Sequence, residues 1–377
     1  MTAAGGARSW PPGDEPGGRR FAELGTGGGG VLGLEGGATL PGLTVAYETW
    51  GTRDAAGANA VLVLHALTGD SHAAGPAGPG HPTPGWWDAL IGPGRAIDTD
   101  RWFVVCPNVL GGCQGTTGPS SAAPDGRAWG PRFPRVTIRD QVAAEVLLAD
   151  HLGIERWAAV VGGSMGGMRV LEWCVGHPGR VARAAVLAVG AAATAEQVAL
   201  CSVQCRAIRL DPAHAGGDYY GTGDAPVDGM ALARAIGQIS YRTEAELAER
   251  FGRTPQNDED PLAGGRYAVE SYLGHQGDKL VGRFDPNAYL VLSEAMNSHD
   301  VGRGRGGVAA ALARVTAEVR VAGIDTDRLY PLALQAELAA HLPGAHPLAV
   351  IRSRFGHDGF LLESEQAGAV VAGAIGA

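Results

Sequence analysis

The sequence predicts an α/β fold, in which a mostly parallel sheet is flanked by helices and interrupted by a helical insertion. Two observations carry this prediction. Short runs dense in Val, Leu and Ile alternate with helical patterns, and this alternation stops between residues 191 and 300. Buried parallel strands have such apolar runs. Strand–helix–strand alternation implies right-handed crossovers within one sheet.

Seven apolar runs have the length and composition of strands. They cover residues 43–51, 60–67, 101–110, 156–163, 182–190, 317–324 and 346–353. A helical pattern precedes the run at 156–163, and a second one, "MRVLEWCVGHP", follows it. Pro178 and Gly179 mark the end of that second helix.

The same patterns divide the chain into three parts. Residues 1–38 are rich in Gly, Pro and charged residues, so we expect a disordered leader there. Residues 39–190 and 301–377 carry the strand pattern and form the predicted core. Residues 191–300 contain helical runs such as "TAEQVALCSVQCRAIR" and "DGMALARAIGQIS", which predict a helical lid inserted into the core.

Composition excludes several classes of function. A formal net charge of −9 argues against a nucleic-acid partner. The five cysteines show no zinc-binding spacing, so we expect reduced thiols and no metal. No apolar run approaches the ~18 residues of a membrane helix, and the first residues, "MTAAGGARSWPPGDEPGGRR", lack the apolar core of a signal peptide. We therefore expect a cytoplasmic protein.

The pattern G-x-S-x-G at residues 162–166 predicts a nucleophile at Ser164. The pattern follows an apolar strand and precedes a helix, which is the setting that the motif requires. Such a turn strains the serine backbone, and small neighbours relieve the crowding. The N–H of Met165 would lie at the helix N-terminus, facing a developing oxyanion. The alternative is a tight turn with an idle serine.

A serine hydroxyl needs a base, and on this type of fold the order along the chain is serine, acid, histidine. His357 lies just beyond the last predicted strand, where the base is expected. The strand before it ends at "IDTD", which offers Asp325 and Asp327; we favour Asp327. Asp358 adjoins the base, but neighbouring side chains diverge, so we do not expect it to orient His357.

The loop after the strand at 60–67 predicts the second oxyanion donor. The backbone N–H of Leu67, in "LHALTGDSH", is the best-placed candidate. His65 in the same loop is expected to be a structural histidine at the strand end. Cys113, in "GGCQGTTGPSS", has no base beside it, and Ser164 is the better-supported nucleophile.

Several blocks of this sequence together resemble the homoserine O-acetyltransferase family of the α/β-hydrolase fold. They are "LHALTGDSH", "NVLGGCQGTTGPSS", "TIRDQVAAE", "VVGGSMGGM", "GGDYY", "ESYLGHQGDKL", "NSHDVGRGRGG", "GIDTDRLYP" and "GHDGF". The likeness runs from about residue 40 to residue 366. The block "NVLGGCQGTTGPSS" is the most specific of them.

The resemblance implies a ping-pong acyl transfer from acetyl-CoA, a co-substrate, to the hydroxyl of L-homoserine. The product would be O-acetyl-L-homoserine, for methionine biosynthesis. The resemblance implies no metal or prosthetic group, and it implies a homodimer built through the helical insertion. It also implies that Arg234, Tyr241 and Asp358 bind homoserine. Arg234 and Tyr241 share one face of a helix with Gln238, while Leu232, Ile236 and Ile239 form its apolar face.

Three alternatives remain open at this stage. Within the family, the donor could be succinyl-CoA, and the acceptor serine or deacetylcephalosporin C. A succinyl group needs a cation for its distal carboxylate, so an Arg close to Ser164 in the structure would favour it. A plain serine esterase and a non-catalytic binding module are the other two alternatives.

Overall fold

The computed structural model describes residues 15–24 and 31–376, so the leader expectation for residues 1–14 and 25–30 lies outside the described part. The strands are β1 (Arg20–Leu24), β2 (Val31–Gly33), β3 (Thr39–Pro41), β4 (Leu43–Trp50), β5 (Ala60–Leu64), β6 (Ile91–Gly92), β7 (Ile97–Asp98), β8 (Phe103–Pro107), β9 (Ala159–Gly163), β10 (Arg183–Leu187), β11 (Glu318–Ile324) and β12 (Ala349–Ile351). The α-helices are α1 (Ile138–His151), α2 (Met165–Gly176), α3 (Ala195–Leu210), α4 (Val227–Tyr241), α5 (Glu244–Phe251), α6 (Ala268–Val281), α7 (Pro286–Asn297), α8 (Val308–Leu312), α9 (Leu332–His341), α10 (Gly359–Leu362) and α11 (Ser364–Ile375). Short 3₁₀ helices cover Gly130–Arg132, Pro178–Arg180, Pro212–Gly217, Pro261–Ala263 and Gly356–Asp358.

Eight strands form one sheet in the order β1-β4-β8-β5-β9-β10-β11-β12. The pairs β1–β4 and β4–β8 are antiparallel, and all other pairs are parallel. The predicted mostly parallel sheet is therefore confirmed. Leu64 at the end of β5 lies opposite Gly162 of β9, and Leu187 of β10 lies opposite Gly163. The carboxyl ends of these strands thus meet at one edge, where ligands bind in open α/β sheets.

Each face of the sheet carries its own apolar core. Because successive side chains of a strand point to opposite faces, Val61 and Val63 enter one core, whereas Leu62 and Leu64 enter the other. Helix α11 and the buried Trp87 cover the first face. Helices α1 and α2 cover the second face, so the sheet is buried on both sides. None of the described helices is both long and apolar enough to cross a membrane.

Residues 20–24 correct the expectation of a disordered leader over residues 1–38. They form β1 at the edge of the sheet, with Arg20 opposite Tyr47. The physical reason is a short apolar alternation: Ala22 and Leu24 are 1% and 6% exposed, because both point into the core. This alternation is short and adjoins glycine-rich segments, so the composition of the region does not reveal the strand.

The region between residues 190 and 301 contains helices α3 to α7 and, within its described residues, no strand of a sheet. One detail of the predicted helix α4 is wrong. Leu232 and Ile239, expected on its apolar packing face, are 56% and 45% exposed. Helix α4 packs instead through small residues, because a Cβ at Gly229 would lie 2.6 Å from the carbonyl oxygen of Ala207 on α3. Close packing of the helix backbones explains the difference.

A buried ion pair links the two helices on one face of the sheet to the end of β5. Arg169 of α2 is fully buried, and its Nη1 donates to Glu145 Oε1 of α1 at 2.6 Å. Its Nη2 donates to the carbonyl oxygen of His65, and Trp173 Nε1 donates to Glu145 Oε2 at 2.8 Å. Burial raises the pKa of Glu145 although Arg169 opposes this shift. Removal of either partner would leave a buried charge without compensation.

We expect Glu145→Ala to lower the free energy of unfolding by about 3–5 kcal/mol, because Arg169 would remain buried and unpaired. Urea unfolding followed by tryptophan fluorescence measures this loss. The matched control is Glu249→Ala, which removes an ion pair with Arg354 whose side chains are 65% and 56% exposed. The control should leave the unfolding midpoint unchanged. Equal shifts in the two variants would contradict the role given to the buried pair.

Candidate active site

Ser164 occupies the turn between β9 and α2 with φ 56° and ψ −126°, a left-handed conformation that side chains rarely adopt. Its N–H donates to the carbonyl oxygen of Leu187 at 3.0 Å. Two glycines make the turn possible. A Cβ at Gly162 would lie 2.8 Å from the carbonyl carbon of Gly166, and one at Gly166 would lie 2.0 Å from the oxygen of Leu64. The strained turn predicted from G-x-S-x-G is present, and it lifts Ser164 to the sheet edge.

The structure brings Ser164, His357 and Asp327 into one hydrogen-bonded chain. The Ser164 Oγ lies 2.8 Å from His357 Nε2, and His357 Nδ1 lies 2.7 Å from Asp327 Oδ2. The other carboxylate oxygen of Asp327 accepts the N–H groups of Leu329 and Tyr330, each at 2.8 Å. This geometry matches nucleophile, base and orienting acid.

The two other aspartates near the base have different partners. Asp325 accepts the N–H of Ser353 at 3.0 Å and pairs with Arg352 at 3.4 Å, away from His357. Asp358 lies 3.2 Å from Arg242 Nε. The preference for Asp327 over both therefore agrees with the hydrogen-bond geometry.

The surroundings of His357 increase the affinity of its ring for a proton. Burial by itself would lower the pKa of His357, but the charge and hydrogen bond of Asp327 outweigh burial, and the pKa is raised above its ordinary value of 6.5. Tyr330 stacks on the ring with centroids 4.9 Å apart, and Phe360 meets it edge-on at 5.5 Å. The ring is thus held in place and shielded from water.

The two predicted oxyanion donors, Met165 and Leu67, have different settings. Met165 is the first residue of α2, so its N–H has no carbonyl partner within the helix. Leu67 and Ala66 line the same pocket as Ser164. Arg283, between α6 and α7, donates to the carbonyl oxygen of Thr68 at 2.7 Å and so ties this loop to the insertion.

The pocket over Ser164 lies between the sheet edge and helices α3, α4 and α7. It is lined by Ala66, Leu67, Thr68, Ser164, Gln197, Leu200, Cys201, Gln204, Arg234, Ser240, Tyr241, Met296, Leu329, Tyr330, His357, Asp358, Phe360 and Leu361. The three residues that the family resemblance assigned to homoserine all belong to this lining. Gln238, which shares α4 with Arg234 and Tyr241, instead donates to Tyr272 of α6 at 2.8 Å.

Within the pocket, Arg234 and Tyr241 lie together on one face of α4. The guanidinium carbon of Arg234 is 5.6 Å from the centre of the Tyr241 ring. Burial raises the pKa of Tyr241 to about 12, so its hydroxyl remains protonated and can donate. Burial also raises the pKa of Asp358, although Arg242 and His357 counteract this. One cation and one carboxylate therefore face the same cavity.

Sequence reasoning did not assign the polar face of α3. Gln197, Cys201 and Gln204 recur at i, i+4 and i+7, and all three line the pocket. Gln197 Nε2 donates to the carbonyl oxygen of Leu329 at 2.7 Å, and Tyr289 donates to Gln204 Oε1 at 2.5 Å. The helical period of polar residues in "QVALCSVQ" is the signal that could have found this face.

Cys113 lies outside the pocket. Its Sγ accepts the N–H of Asp285 at 3.4 Å, at the start of α7. Burial raises the pKa of the Cys113 thiol, which disfavours the reactive thiolate. Tyr219 and Tyr220 donate to the same Asp285 at 2.7 and 2.8 Å. The "GGCQG" and "GGDYY" blocks therefore meet in a packed anchor of the insertion.

Glu48, His72 and His81 are the one trio of metal-ligand side chains that lie close together in the described part of the chain. The two imidazole rings stack with centroids 3.7 Å apart and planes within 9° of each other. An ion cannot lie in the planes of two rings stacked in this way, although imidazole ligands require it. His81 Nε2 also accepts the N–H of Gly18 at 3.0 Å. This trio is a packed histidine pair on a carboxylate, outside the pocket over Ser164.

Comparisons with known proteins agree with the fold. Residues 59–363 match the family model described as alpha/beta hydrolase fold. A homoserine O-acetyltransferase of Thermobifida fusca is 60% identical over 364 residues, which cover 96% of this chain and 95% of the relative. The crystal structure of homoserine O-acetyltransferase from Bacillus anthracis has a TM-score of 0.86 at 26% identity, covering 95% of this chain and 97% of that one.

A solved structure with a different activity is equally similar in shape. The crystal structure of esterase E22 has a TM-score of 0.85 at 28% identity, covering 95% of this chain and 99% of that one. Shape alone therefore does not distinguish transfer from hydrolysis. The identity to the Thermobifida fusca relative is about twice as high and extends over nearly the whole chain. This chain belongs to the homoserine O-acetyltransferase family, on the α/β-hydrolase fold.

Proposed function

We propose that this protein transfers the acetyl group of acetyl-CoA to the hydroxyl of L-homoserine by a ping-pong mechanism through an acyl-serine. The product is O-acetyl-L-homoserine, for methionine biosynthesis. The observation that carries the proposal is the hydrogen-bonded chain Ser164–His357–Asp327, at 2.8 and 2.7 Å, inside a pocket that also presents Arg234 and Asp358. No metal or prosthetic group takes part in the proposed steps.

In the first half-reaction, Ser164 Oγ attacks the thioester carbonyl carbon while His357 Nε2 takes the hydroxyl proton. The carbonyl oxygen becomes an oxyanion that accepts hydrogen bonds from the N–H groups of Met165 and Leu67. The C–S bond then breaks, and the proton on His357 passes to the departing CoA sulfur. The enzyme is left as an acetyl ester of Ser164.

In the second half-reaction, His357 takes the proton of the homoserine hydroxyl, whose oxygen attacks the acetyl-serine carbonyl. The same two amides hold the second oxyanion. The bond between the acetyl carbon and Ser164 Oγ breaks, and the serine oxygen regains the proton from His357. Asp327 keeps the imidazole in one tautomer and stabilises its charged form in both halves.

The acceptor pocket suits the zwitterionic end of homoserine. Arg234 can bind the carboxylate through two parallel hydrogen bonds, and the hydroxyl of Tyr241 can donate to the same group. Asp358 supplies the opposite charge for the ammonium. Held in this way, the homoserine hydroxyl would have a high effective concentration at the acyl-enzyme relative to water.

The lining of the pocket favours an acetyl donor over a succinyl donor. Among the described residues that line it, Arg234 is the only arginine. If Arg234 binds the carboxylate of the acceptor, no second lining arginine is left for the distal carboxylate of a succinyl group. The same ion pairs would accept serine, so the length of the acceptor must be tested directly.

We also propose that residues 191–300 act as a lid and that the protein is a cytoplasmic homodimer. Apolar side chains exposed on α3 and α4 support the dimer, since Val203, Leu210 and Leu232 are 55%, 68% and 56% exposed. Val203 and Leu210 lie seven residues apart on α3 and so share one face of that helix, and exposed apolar faces are found at association surfaces. Sedimentation velocity measures the oligomeric state, and a monomer at all protein concentrations would contradict the proposed dimer.

The direct test is a steady-state assay of acetyl-CoA and succinyl-CoA against L-homoserine and L-serine. Acetyl-CoA should give a higher kcat/KM than succinyl-CoA, because Arg234 is the only arginine among the described lining residues. Homoserine should give a higher kcat/KM than serine, in line with the acceptor in the name of the relatives. Ser164→Ala should lower the rate by a factor on the order of 10⁴ or more. The matched control, Ser202→Ala, changes an exposed serine of α3 and should keep the wild-type rate.

The same assay separates transfer from hydrolysis, the activity in the name of esterase E22. With p-nitrophenyl acetate as donor, homoserine should accelerate nitrophenol release if deacylation is slow, because it offers a better acceptor than water. Rates that do not depend on homoserine, together with no O-acetylhomoserine, would support a plain esterase. Higher kcat/KM with succinyl-CoA would overturn the choice of donor.

We expect Arg234→Gln to raise KM for homoserine by about 10- to 100-fold, since hydrogen bonds to a charged group contribute about 1.5–3 kcal/mol. Hydrolysis of p-nitrophenyl acetate, which lacks a carboxylate, should stay near the wild-type rate. Arg314→Gln, an exposed arginine outside the pocket, is the control. If KM for homoserine stays unchanged in the first variant, Arg234 does not bind the acceptor.

A further inference from the structure

The peptide unit between Ala66 and Leu67 is held by its carbonyl end. The Ala66 oxygen accepts two hydrogen bonds, one from His65 Nδ1 at 2.7 Å and one from the N–H of Gly69 at 3.0 Å. In a planar trans peptide the C=O and N–H bonds point in opposite directions. The Leu67 N–H therefore points away from the side on which the Ala66 oxygen is held.

The Ala66–Leu67 peptide borders the pocket over Ser164. Ala66 and Leu67 line it together with Ser164. Within the described part of the chain, the Leu67 N–H donates to no protein acceptor. A donor left open at the edge of a reactive pocket is suited to bind a developing negative charge.

The ring of His65 is itself held in one orientation and one tautomer. The N–H of Val109 donates to His65 Nε2 at 3.1 Å, so Nε2 is unprotonated and the proton lies on Nδ1. The residue is 1% exposed. Burial, together with the nearby Arg169 charge, lowers the pKa of His65 to about 3, so the ring stays neutral at physiological pH.

Other contacts hold the ends of this loop but leave the rotation of the peptide open. Arg169 donates to the carbonyl oxygen of His65, and Arg283 donates to that of Thr68. Neither contact touches the Ala66–Leu67 peptide. The Nδ1–H of His65 is the one side-chain donor to that peptide among the described residues.

We propose that His65 is a positioning residue for acyl transfer: its Nδ1–H holds the Ala66–Leu67 peptide so that the Leu67 N–H faces the oxyanion. The inference rests on the proposed function, because it needs an oxyanion at Ser164. It goes beyond the expectation from sequence that His65 is a structural histidine at a strand end.

Two variants test separately the hydrogen bonds that the two ring nitrogens of His65 make. In His65→Asn, the amide nitrogen lies as many bonds from Cβ as Nδ1 does and can still donate to Ala66. In His65→Gln, the amide reaches toward the position of Nε2 and can satisfy Val109, but the donor to Ala66 is lost. We expect His65→Gln to lower kcat by about 10²-fold with little change in either KM, and His65→Asn to stay within a few-fold of wild type.

The affinity of methylboronic acid provides a second measurement, and a merely structural role of His65 would not change it differently in the two variants. Its adduct with Ser164 is tetrahedral and negatively charged, so it probes the oxyanion site. Its affinity should fall in His65→Gln in parallel with kcat and should be retained in His65→Asn. Equal loss in both variants, or full activity in both, would overturn the proposal.

A measurement on the wild-type protein covers the case in which a variant does not fold. The amide proton of Leu67 should shift strongly downfield in NMR spectra when methylboronic acid binds, and an unchanged resonance would contradict the inference.

Ser164→Ala distinguishes failure of the proposed function from failure of the proposed role of His65. If Ser164→Ala keeps activity, the proposed function fails. If it is inactive while His65→Gln is fully active, only the role of His65 fails.

Discussion

The site depends on the close approach of α2 to the end of β5. A Cβ at Gly166 would lie 2.0 Å from the carbonyl oxygen of Leu64, so only glycine allows the first turn of α2 to rest on that strand. This contact lets the chain reverse at Ser164 with a φ of 56°. It also places the Met165 amide beside the loop that begins at His65. Backbone packing thus brings Ser164 and the two proposed oxyanion donors to the same edge of the sheet.

Two buried histidines beside this contact have opposite electrostatic surroundings. His357 faces Asp327, so its pKa is raised despite burial, and it can accept and hold a proton. His65 lies near Arg169, and burial with that charge lowers its pKa to about 3. The first suits a base that becomes charged during the reaction, and the second suits a neutral, fixed hydrogen-bond donor. The neighbouring charge decides which task each imidazole can perform.

Local patterns predicted most of the fold because buried strands and helices have distinct periods. The strand at 43–50 is readable in this way. Ser164 was predicted from the G-x-S-x-G pattern, and Asp327 and His357 from the order of the three residues along the chain. Strand β1 was not predicted, because its alternation of apolar and polar residues spans only a few positions. The exposure of Leu232 and Ile239 was not predicted either, because small residues let α4 pack through its backbone. The His65 contact required coordinates, since the direction of a peptide plane leaves no trace in sequence.

The central claim is that Ser164 carries an acetyl group which homoserine removes faster than water does. Rapid mixing with acetyl-CoA followed by intact-protein mass spectrometry measures it directly. The account predicts a rise in mass by one acetyl group, absent in Ser164→Ala, that disappears when homoserine is added and persists longer in buffer alone. No adduct on Ser164, or an adduct lost at the same rate with and without homoserine, would contradict the account.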